Sequence, residues 1–356
     1  MKEYFNGNKD ISITQLMAQR GFRGQLKGHL IVTNEADIEM STCYDYDSIK
    51  AVEKDLVDSG KAAPNLIKHL KAFFTQRDEN NNILRPQYVY FFGSAKTGQA
   101  LTDDIEAGTN DKERLVYGVS YTFYEDSLVE WAVTYPKVVM HFFEKDNDAA
   151  MTLTQQAMNV RVFYSTTIEA KNTMEAAQVL WRPTFAGVKW KELTGATPDN
   201  LTDGQIVELD SKGLAAYRVV NGAGEVSNSL MSNGRTHLDT TFILDTIKYN
   251  LASNMHIMFK DNVVNSSNVR SIVDAYSKRA LNWVGSLGMI ETTVDGLYKF
   301  SVQIPRIDAT IRETRHLNGV IWKFIPNIPI ESLTGVVEEV LDEILLTVSD
   351  IEDIAV

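Results

Sequence analysis

The chain has 356 residues, 44% of them hydrophobic and 23% charged, a balance typical of a globular protein with one large core or two modest ones. The formal charge of −12 argues against a dedicated nucleic-acid binder, because such proteins need a basic face to displace counterions. The single cysteine, Cys43, excludes an intramolecular disulfide and favours a reducing compartment. No stretch approaches the roughly 20 apolar residues that span a bilayer, so we expect no membrane insertion.

Strands and helices alternate in the predicted first half of the chain. "GHLIVTNE" and "IEMSTCY" read as strands, and a helix over 48–59 would stop at Gly60. Its buried face would comprise Ile49, Val52, Leu56 and Val57. A second helix begins near Pro64, with His69 at the edge of its apolar face. Its buried stripe would comprise Leu66, Ile67, Leu70, Phe73 and Phe74.

Four further strands, "QYVYFF", "RLVYGVSYTFY", "VVMHFFEK" and "VRVFYST", are separated in part by helical segments near 126–133 and 147–158. This alternation predicts an α/β layer with a partly parallel sheet. Pro183 and Gly187 indicate a boundary, followed by a helix from about 202 that stops at Gly213.

The strand "AAYRVV" precedes a Gly/Ser/Asn-rich stretch over 221–236, after which two long amphipathic helices are predicted. The first would bury Ile243, Leu244, Ile247, Leu251, Met255 and Met258. The second would bury Val269, Ile272, Val273, Tyr276, Ala280, Trp283 and Val284. Ser266 or Ser267 would cap the second helix. The strands "LYKFSVQIP" and "NGVIWKFIP" follow.

The segment "YVYFFGSAKTGQA" approximates a phosphate-binding loop, since Gly93 follows a strand and Gly98 comes five residues later. Gln99 and Ala100 stand where the Lys and Ser/Thr of such a loop would contact phosphate and magnesium. Lys96 lies within the loop, and the acidic stretch that follows would repel a triphosphate. The interpretation is a surface connection, with no cofactor bound there.

No catalytic or metal-binding constellation emerges from the sequence. The six histidines, at positions 29, 69, 141, 237, 256 and 316, show no close metal-ligand spacing. Asp239, two residues after His237, is interpreted as a helix cap or a partner of the helix dipole, and the pair Asp45 and Asp47 as helix-capping groups. His69 is interpreted as a boundary residue. We therefore predict no catalytic residue, no cofactor and no metal.

The two termini carry opposite charge. Residues 1–30 contain Lys2, Lys9, Arg20, Arg23 and Lys27 against Glu3 and Asp10. Residues 335–356 contain seven acidic residues, no basic residue, and many Val, Ile and Leu. One interpretation is two solvated ends. The other is that the ends add strands to sheets of neighbouring subunits, which in a head-to-tail arrangement makes rings or filaments.

The order of segments resembles the contractile tail-sheath proteins of myophage-type phages and related injection particles. The similarity rests on "DISITQLMAQRGFRGQLKGHLIVT", "PQYVYFFG", "GVKWKELTGATPDNLTDGQIVELDSKGLAAYRVV", "NGRTHLDTTFILDTIKYNLASNMHIMF", "LNWVGSLGMI" and "IPRIDATIRETRHLNGVIWKFIPNIPIESLTGVVEEV". It implies a mixed α/β (α+β) fold with two α/β domains and extended terminal β-arms. It also implies a structural subunit without enzymatic activity, which stacks as hexameric rings around an inner tube and contracts.

Transferred to this chain, the resemblance implies an N-terminal arm at 1–20, an outer domain at 21–182, an inner domain at 183–335 and a C-terminal arm at 336–356. The arm contacts would involve Lys2, Lys9, Ile11, Ile13, Val336, Val337, Val340 and Ile344. A tube-facing or inter-subunit basic strip would comprise Arg306, Arg312, Arg315 and Lys323. The C-terminal tail is equally compatible with an amphipathic helix.

The implied partners are other copies of the chain, the inner tail tube protein, and the baseplate and tail terminator proteins, with no nucleic acid. The implied location is a virion tail assembled in the bacterial host cytoplasm. Two alternatives remain at this point. One is an α/β enzyme whose site is built from scattered residues, and the other is a baseplate component of the same particle.

Overall fold

The computed structural model describes most of the chain between residues 28 and 327. The described residues are 28–78, 80–109, 116–123, 125–134, 138–142, 157, 159–181, 192–261, 267–314, 317 and 319–327. Both predicted arms and nearly all of the helix predicted at 147–158 lie outside these residues.

An eight-stranded sheet organises the described part of the chain. Its strands are β1 (Gly28–Thr33), β2 (Ile38–Thr42), β3 (Val89–Gly93), β4 (Val116–Tyr121), β5 (Val138–Phe142), β6 (Val160–Tyr164), β7 (Leu214–Val220) and β8 (Ala223–Val226). They lie in the order β2-β3-β1-β4-β5-β6-β7-β8. The six central strands are parallel, and the edge strands β2 and β8 run antiparallel to their neighbours. The predicted partly parallel sheet is confirmed.

Helices connect the parallel strands and cover the sheet. They are α1 (Ile49–Asp58), α2 (Pro64–Thr75), α3 (Gly98–Thr109), α4 (Asp126–Thr134), α5 (Ile168–Trp181), α6 (Asp203–Ser211), α7 (Leu238–Asp261), α8 (Val269–Ser286) and α9 (Ala309–Thr314). Local signals fix several ends. Gly60 has a φ of 73°, which suits the residue after a helix, and Thr202 forms a capping box with Gln205 at the start of α6.

Alternate residues of β1 enter two separate cores, because successive side chains of a strand point to opposite faces of a sheet. On β1, Ile31 packs in the first core, whereas Leu30 and Val32 pack in the second. The first core also contains residues of α1, α2, α5, α7 and α8, and the second contains residues of α3, α4 and α6. The sheet is therefore a middle layer between two helical layers.

A second, smaller sheet lies on the helical pair α7–α8. It consists of the antiparallel strands β9 (Phe300–Gln303) and β10 (Ile321–Phe324). A small apolar cluster that includes Met258, Val273 and Ile307 fixes part of the connection between the two strands. The long helices and both strands agree with the sequence prediction.

Several sequence expectations are wrong in detail. Val57 is 61% exposed, because at 100° per residue it lies well outside the stripe centred on Leu56. Ser48 caps α1, so neither Asp45 nor Asp47 does. Asn268 is the N-cap of α8, in place of the predicted serines.

Other differences concern whole elements. The acidic stretch after the glycine-containing loop forms the helix α3, which was not predicted. The helix α5 and the strand β8 were not predicted either. The helix α5 is buried along residues 170–179 and includes polar side chains, so it has no amphipathic stripe. The eight-stranded sheet contains strands from both sides of residue 183, and the division into two domains stays a prediction.

Candidate assembly interface

The structure describes half of the predicted basic strip. Arg306 follows β9 and Lys323 lies on β10, and both side chains are exposed. Arg312 belongs to α9, but its side chain and the whole of Arg315 lie outside the description. The structure therefore does not test whether the four side chains form one strip.

The predicted arm residues also lie outside the described residues. They are Lys2, Lys9, Ile11, Ile13, Val336, Val337, Val340 and Ile344. Their contacts with other subunits stay a prediction.

The glycine-containing loop connects β3 directly to α3, which gives it the strand–loop–helix order of a phosphate site. However, acidic side chains already contact the hydrogen-bond donor and the ammonium group of this loop. The backbone N–H of Gly98, the first residue of α3, donates to the carboxylate of Glu125, which directly precedes α4. The Lys96 ammonium lies 2.9 Å from Asp104, nearly two turns into α3. Because carboxylates already contact these donors, the loop favours a structural connection over phosphate binding.

A buried His–Glu–His cluster lies between the main sheet and its first helical layer. The imidazole Nε2 of His29 on β1 lies 2.9 Å from one carboxylate oxygen of Glu175, and Nε2 of His69 on α2 lies 3.1 Å from the other. Each imidazole N–H donates, since an ionised carboxylate only accepts. Both rings stack on Phe73 at a centroid distance of 6.0 Å. The interpretation of His69 as a boundary residue is wrong, because it is 1% exposed.

The electrostatics of the cluster favour an ionised carboxylate. Burial alone would raise the pKa of Glu175, but the charge of His69 and hydrogen bonds from both imidazoles lower it to about 2. The cluster joins β1, α2 and α5, three elements far apart in sequence. Its neighbours are side chains of the core, so the arrangement supports packing of these elements.

A second carboxylate, that of the half-buried Asp245, shows the opposite shift of its pKa. The Tyr117 hydroxyl on β4 donates to Asp245 on α7 at 2.9 Å. Burial raises the pKa of Asp245, against the opposing effects of Lys248 and of this hydrogen bond. The pair connects the sheet to the long helical pair. Sequence reasoning missed both carboxylates, because their partners are more than a hundred residues away.

The inward face of the small sheet docks tightly on α8. The Trp322 indole N–H donates to the buried hydroxyl of Ser277 at 2.8 Å. Gly285 lies under the ring of Tyr298, so that a Cβ at position 285 would approach the ring atoms to 2.5–2.6 Å. Lys299 pairs with Glu291 at 2.8 Å beside the base of the sheet. These contacts hold the two strands in a fixed orientation on the helix.

Among the described residues, the outward face of the small sheet carries no further strand. Each of β9 and β10 has one partner strand there and a second, unpaired edge, while single bridges from Ile290 to Pro326 and from Thr292 to Tyr298 flank one end of the sheet. Leu297 is 68% exposed, and Ile321 and Ile325 are each 47% exposed. Open strand edges beside apolar side chains readily pair with another chain. This small sheet is the candidate assembly interface.

The described residues contain no group of three or more His, Cys, Asp or Glu side chains arranged to hold a metal ion. In the same part of the chain, no helix combines the length and the apolar character needed to cross a membrane.

Comparison with known proteins gives no match at the level of sequence families. No protein-family model matches the chain. No curated protein matches it by sequence.

The fold is shared with proteins of contractile particles. A chain in the cryo-EM structure of the anti-feeding prophage (AFP) baseplate has a TM-score of 0.64 and 12% identity, over 92% of this chain and 99% of that chain. A chain of the PVC sheath complex of an extracellular contractile injection system, in the contracted state, has a TM-score of 0.64 and 11% identity. The match covers 94% of this chain and 98% of that chain. The sheath tail protein from Desulfitobacterium hafniense has a TM-score of 0.53 and 11% identity. The match covers 89% of this chain and 99% of that chain. The expected mixed α/β, sheath-like fold is confirmed.

Proposed function

We propose that this chain is the repeating structural subunit of a contractile sheath. The observation that carries the proposal is the coverage of the fold: the likeness to two chains of contractile particles extends over 92–94% of this chain and 98–99% of theirs. The structural match therefore covers nearly the whole chain. A shared catalytic or binding domain would cover only part of the chain.

The small sheet supports a role in polymerisation. A subunit that offers an open strand edge at one place and strand-capable termini elsewhere makes head-to-tail contacts. Such contacts generate rings or helical filaments. In our proposal the terminal segments 1–20 and 336–356 are the arms, while 21–182 and 183–335 are the outer and inner parts of the subunit.

The proposed assembly is a stack of hexameric rings around an inner tube, closed by baseplate and tail terminator proteins, within a phage tail or a related injection particle. Contraction of the stack would drive the tube through a cell envelope. We assign the chain no catalytic role. The exposed Arg306 and Lys323, with Arg312 and Arg315, are proposed to face the tube or a neighbouring subunit.

A second candidate is a sheath-like component of the baseplate of the same kind of particle. It is favoured by one observation, the likeness to a chain in an AFP baseplate structure. The number of copies per particle separates the two candidates, since a sheath subunit is present in many copies and a baseplate component in few.

Negative-stain electron microscopy of the purified full chain tests the proposal, with and without a co-expressed tube protein and over a range of salt concentrations. Rings or tubes of uniform diameter are expected. A compact, monodisperse particle under all of these conditions, including in the presence of the tube protein, would contradict the sheath function.

A further inference from the structure

The outward face of the small sheet combines apolar and basic side chains. Strand alternation places Ile321, Lys323 and Ile325 on this face of β10 and its extension, with exposure alternating along the strand. Leu297 and Lys299 lie just before β9 and have the same parity as its exposed residues Ser301 and Gln303, which pair with Lys323 and Ile321. We call Leu297, Lys299, Ile321, Lys323 and Ile325, together with the polar Ser301 and Gln303, the outward face. Two acidic groups lie beside it: Glu291, which is already paired with Lys299, and the exposed Asp295 in the turn before Leu297.

The sequence around this face has a clear charge bias. Residues 297–327 contain five Lys and Arg against two acidic residues. Residues 328–356 contain eight acidic residues and no Lys or Arg. Within them, the stretch "VVEEVLDEILL" at 336–346 alternates apolar pairs with acidic pairs. An apolar, acidic segment therefore follows an apolar, basic face directly in the chain.

We propose that, before assembly, residues 336–346 of the same chain cover the outward face and shield it from other copies. Apolar side chains of the segment would pack on Leu297, Ile321 and Ile325, and its carboxylates would pair with Lys323. The segment would leave the face when a neighbouring subunit takes up the arm. The covering of the face is a property of the single chain, whereas the release of the segment during assembly rests on the proposed function.

The chain geometry permits this contact. Eight residues lie between Asn327 and Val336, so an extended chain reaches about 30 Å from one to the other, whereas Ile321 and Ile325 are only about 13 Å apart along the strand. A short connection of this kind gives an effective concentration of the order of millimolar. At micromolar protein, the contact within one chain is therefore favoured roughly a thousandfold over the same contact between chains.

The other terminal segment is a poorer occupant. Residues 1–30 carry five Lys and Arg against two acidic residues, so they have the same sign of charge as the outward face. Like charges in contact disfavour docking. Exposed isoleucine and leucine side chains beside an open strand edge also favour association between copies of the chain. A segment that covers this face before assembly would prevent such premature association.

Disulfide trapping in the full chain tests the contact. One variant carries Ile321→Cys and Leu341→Cys, and the control carries Val207→Cys and Leu341→Cys. Val207 on α6 is 68% exposed and lies outside the outward face. The native thiol of Cys43 is fully buried, and burial raises its pKa, so it reacts slowly.

The 321/341 pair is expected to form an intramolecular disulfide at least tenfold faster than the control pair, at a rate independent of protein concentration. Adding Lys323→Glu should slow this reaction severalfold, whereas Lys54→Glu, at an exposed position on α1, should leave it unchanged. Equal rates for the two pairs, or a disulfide that forms between chains in proportion to protein concentration, would overturn the proposal.

This measurement is independent of the sheath function. The trapping reaction is scored on the monomer, and the assembly of tubes is scored by electron microscopy of the unmodified chain. A chain that forms tubes but shows no preferential trapping refutes the cover alone. A chain that traps the segment but forms no tubes with tube protein refutes the function alone.

Discussion

The buried carboxylate of Glu175 provides the most direct test of the energetics of this fold. It is fully buried, and its two oxygens lie 2.9 and 3.1 Å from the imidazoles of His29 and His69. The substitution Glu175→Gln keeps the shape of the side chain and removes its charge. We expect it to destabilise the protein, because the imidazoles lose the carboxylate that compensates their buried polarity.

The magnitude follows from the pKa of the carboxyl group. The histidines lower the pKa of Glu175 from its ordinary 4.5 to about 2, which corresponds to about 3 kcal/mol of preferential stabilisation of the ionised form. For a chain of this length, about 3 kcal/mol lowers the melting temperature by about 4 °C if the chain unfolds cooperatively.

The assay is thermal and urea unfolding of the full chain, with Glu208→Gln as a matched control. Glu208 pairs with Lys212 at 2.9 Å, the same distance as between His29 and Glu175, but its side chain is 62% exposed. The control should change the stability by less than about 0.5 kcal/mol. If Glu175→Gln and Glu208→Gln lower the melting temperature by the same amount, burial does not determine the contribution of Glu175 to stability.

The pH dependence gives a second criterion. Because folding lowers the pKa of Glu175, its stabilising contribution is fully present above pH 4.5 and is lost as the pH falls towards about 2. The stability difference between the wild type and Glu175→Gln should therefore shrink over this window. A difference that stays constant from pH 5 to about pH 2 would refute the assignment.

The remaining predictions concern the sheet–helix contacts. Asp245→Asn should stabilise the protein at neutral pH and by less in acid, since burial raises the pKa of this carboxyl and so disfavours its ionised form; urea unfolding at both pH values measures the difference. Gly285→Ala should destabilise by about 1–2 kcal/mol through the Tyr298 ring, whereas Gly204→Ala, with nothing within 4 Å, should not destabilise; paired thermal melts compare them. Trp322→Phe should cost about 1–2 kcal/mol by leaving a buried serine hydroxyl unpaired, and a double-mutant cycle with that serine would expose any other origin of the loss.

Features that depend on neighbouring residues were predictable from the sequence. The Gly60 stop, the start of α2 at Pro64 and the stop at Gly213 follow from backbone preferences within a few residues. The long helices α7 and α8 were also predicted, because each buries one stripe against a core. The order of these elements carried the resemblance to sheath proteins, which the comparison of folds confirms.

The tertiary structure decided the features that depend on distant residues. The helix α5 was missed because it is buried along most of its length, although Thr167 at its start and its alanines favour a helix through local capping and propensity. His69 looks like a boundary residue in its own helix and becomes a core residue because Glu175, 106 positions away, lies against it. Local sequence determines where the backbone turns and which stripe is apolar, but burial and charge pairing depend on which distant surfaces meet, and that information appears only when the chain is folded.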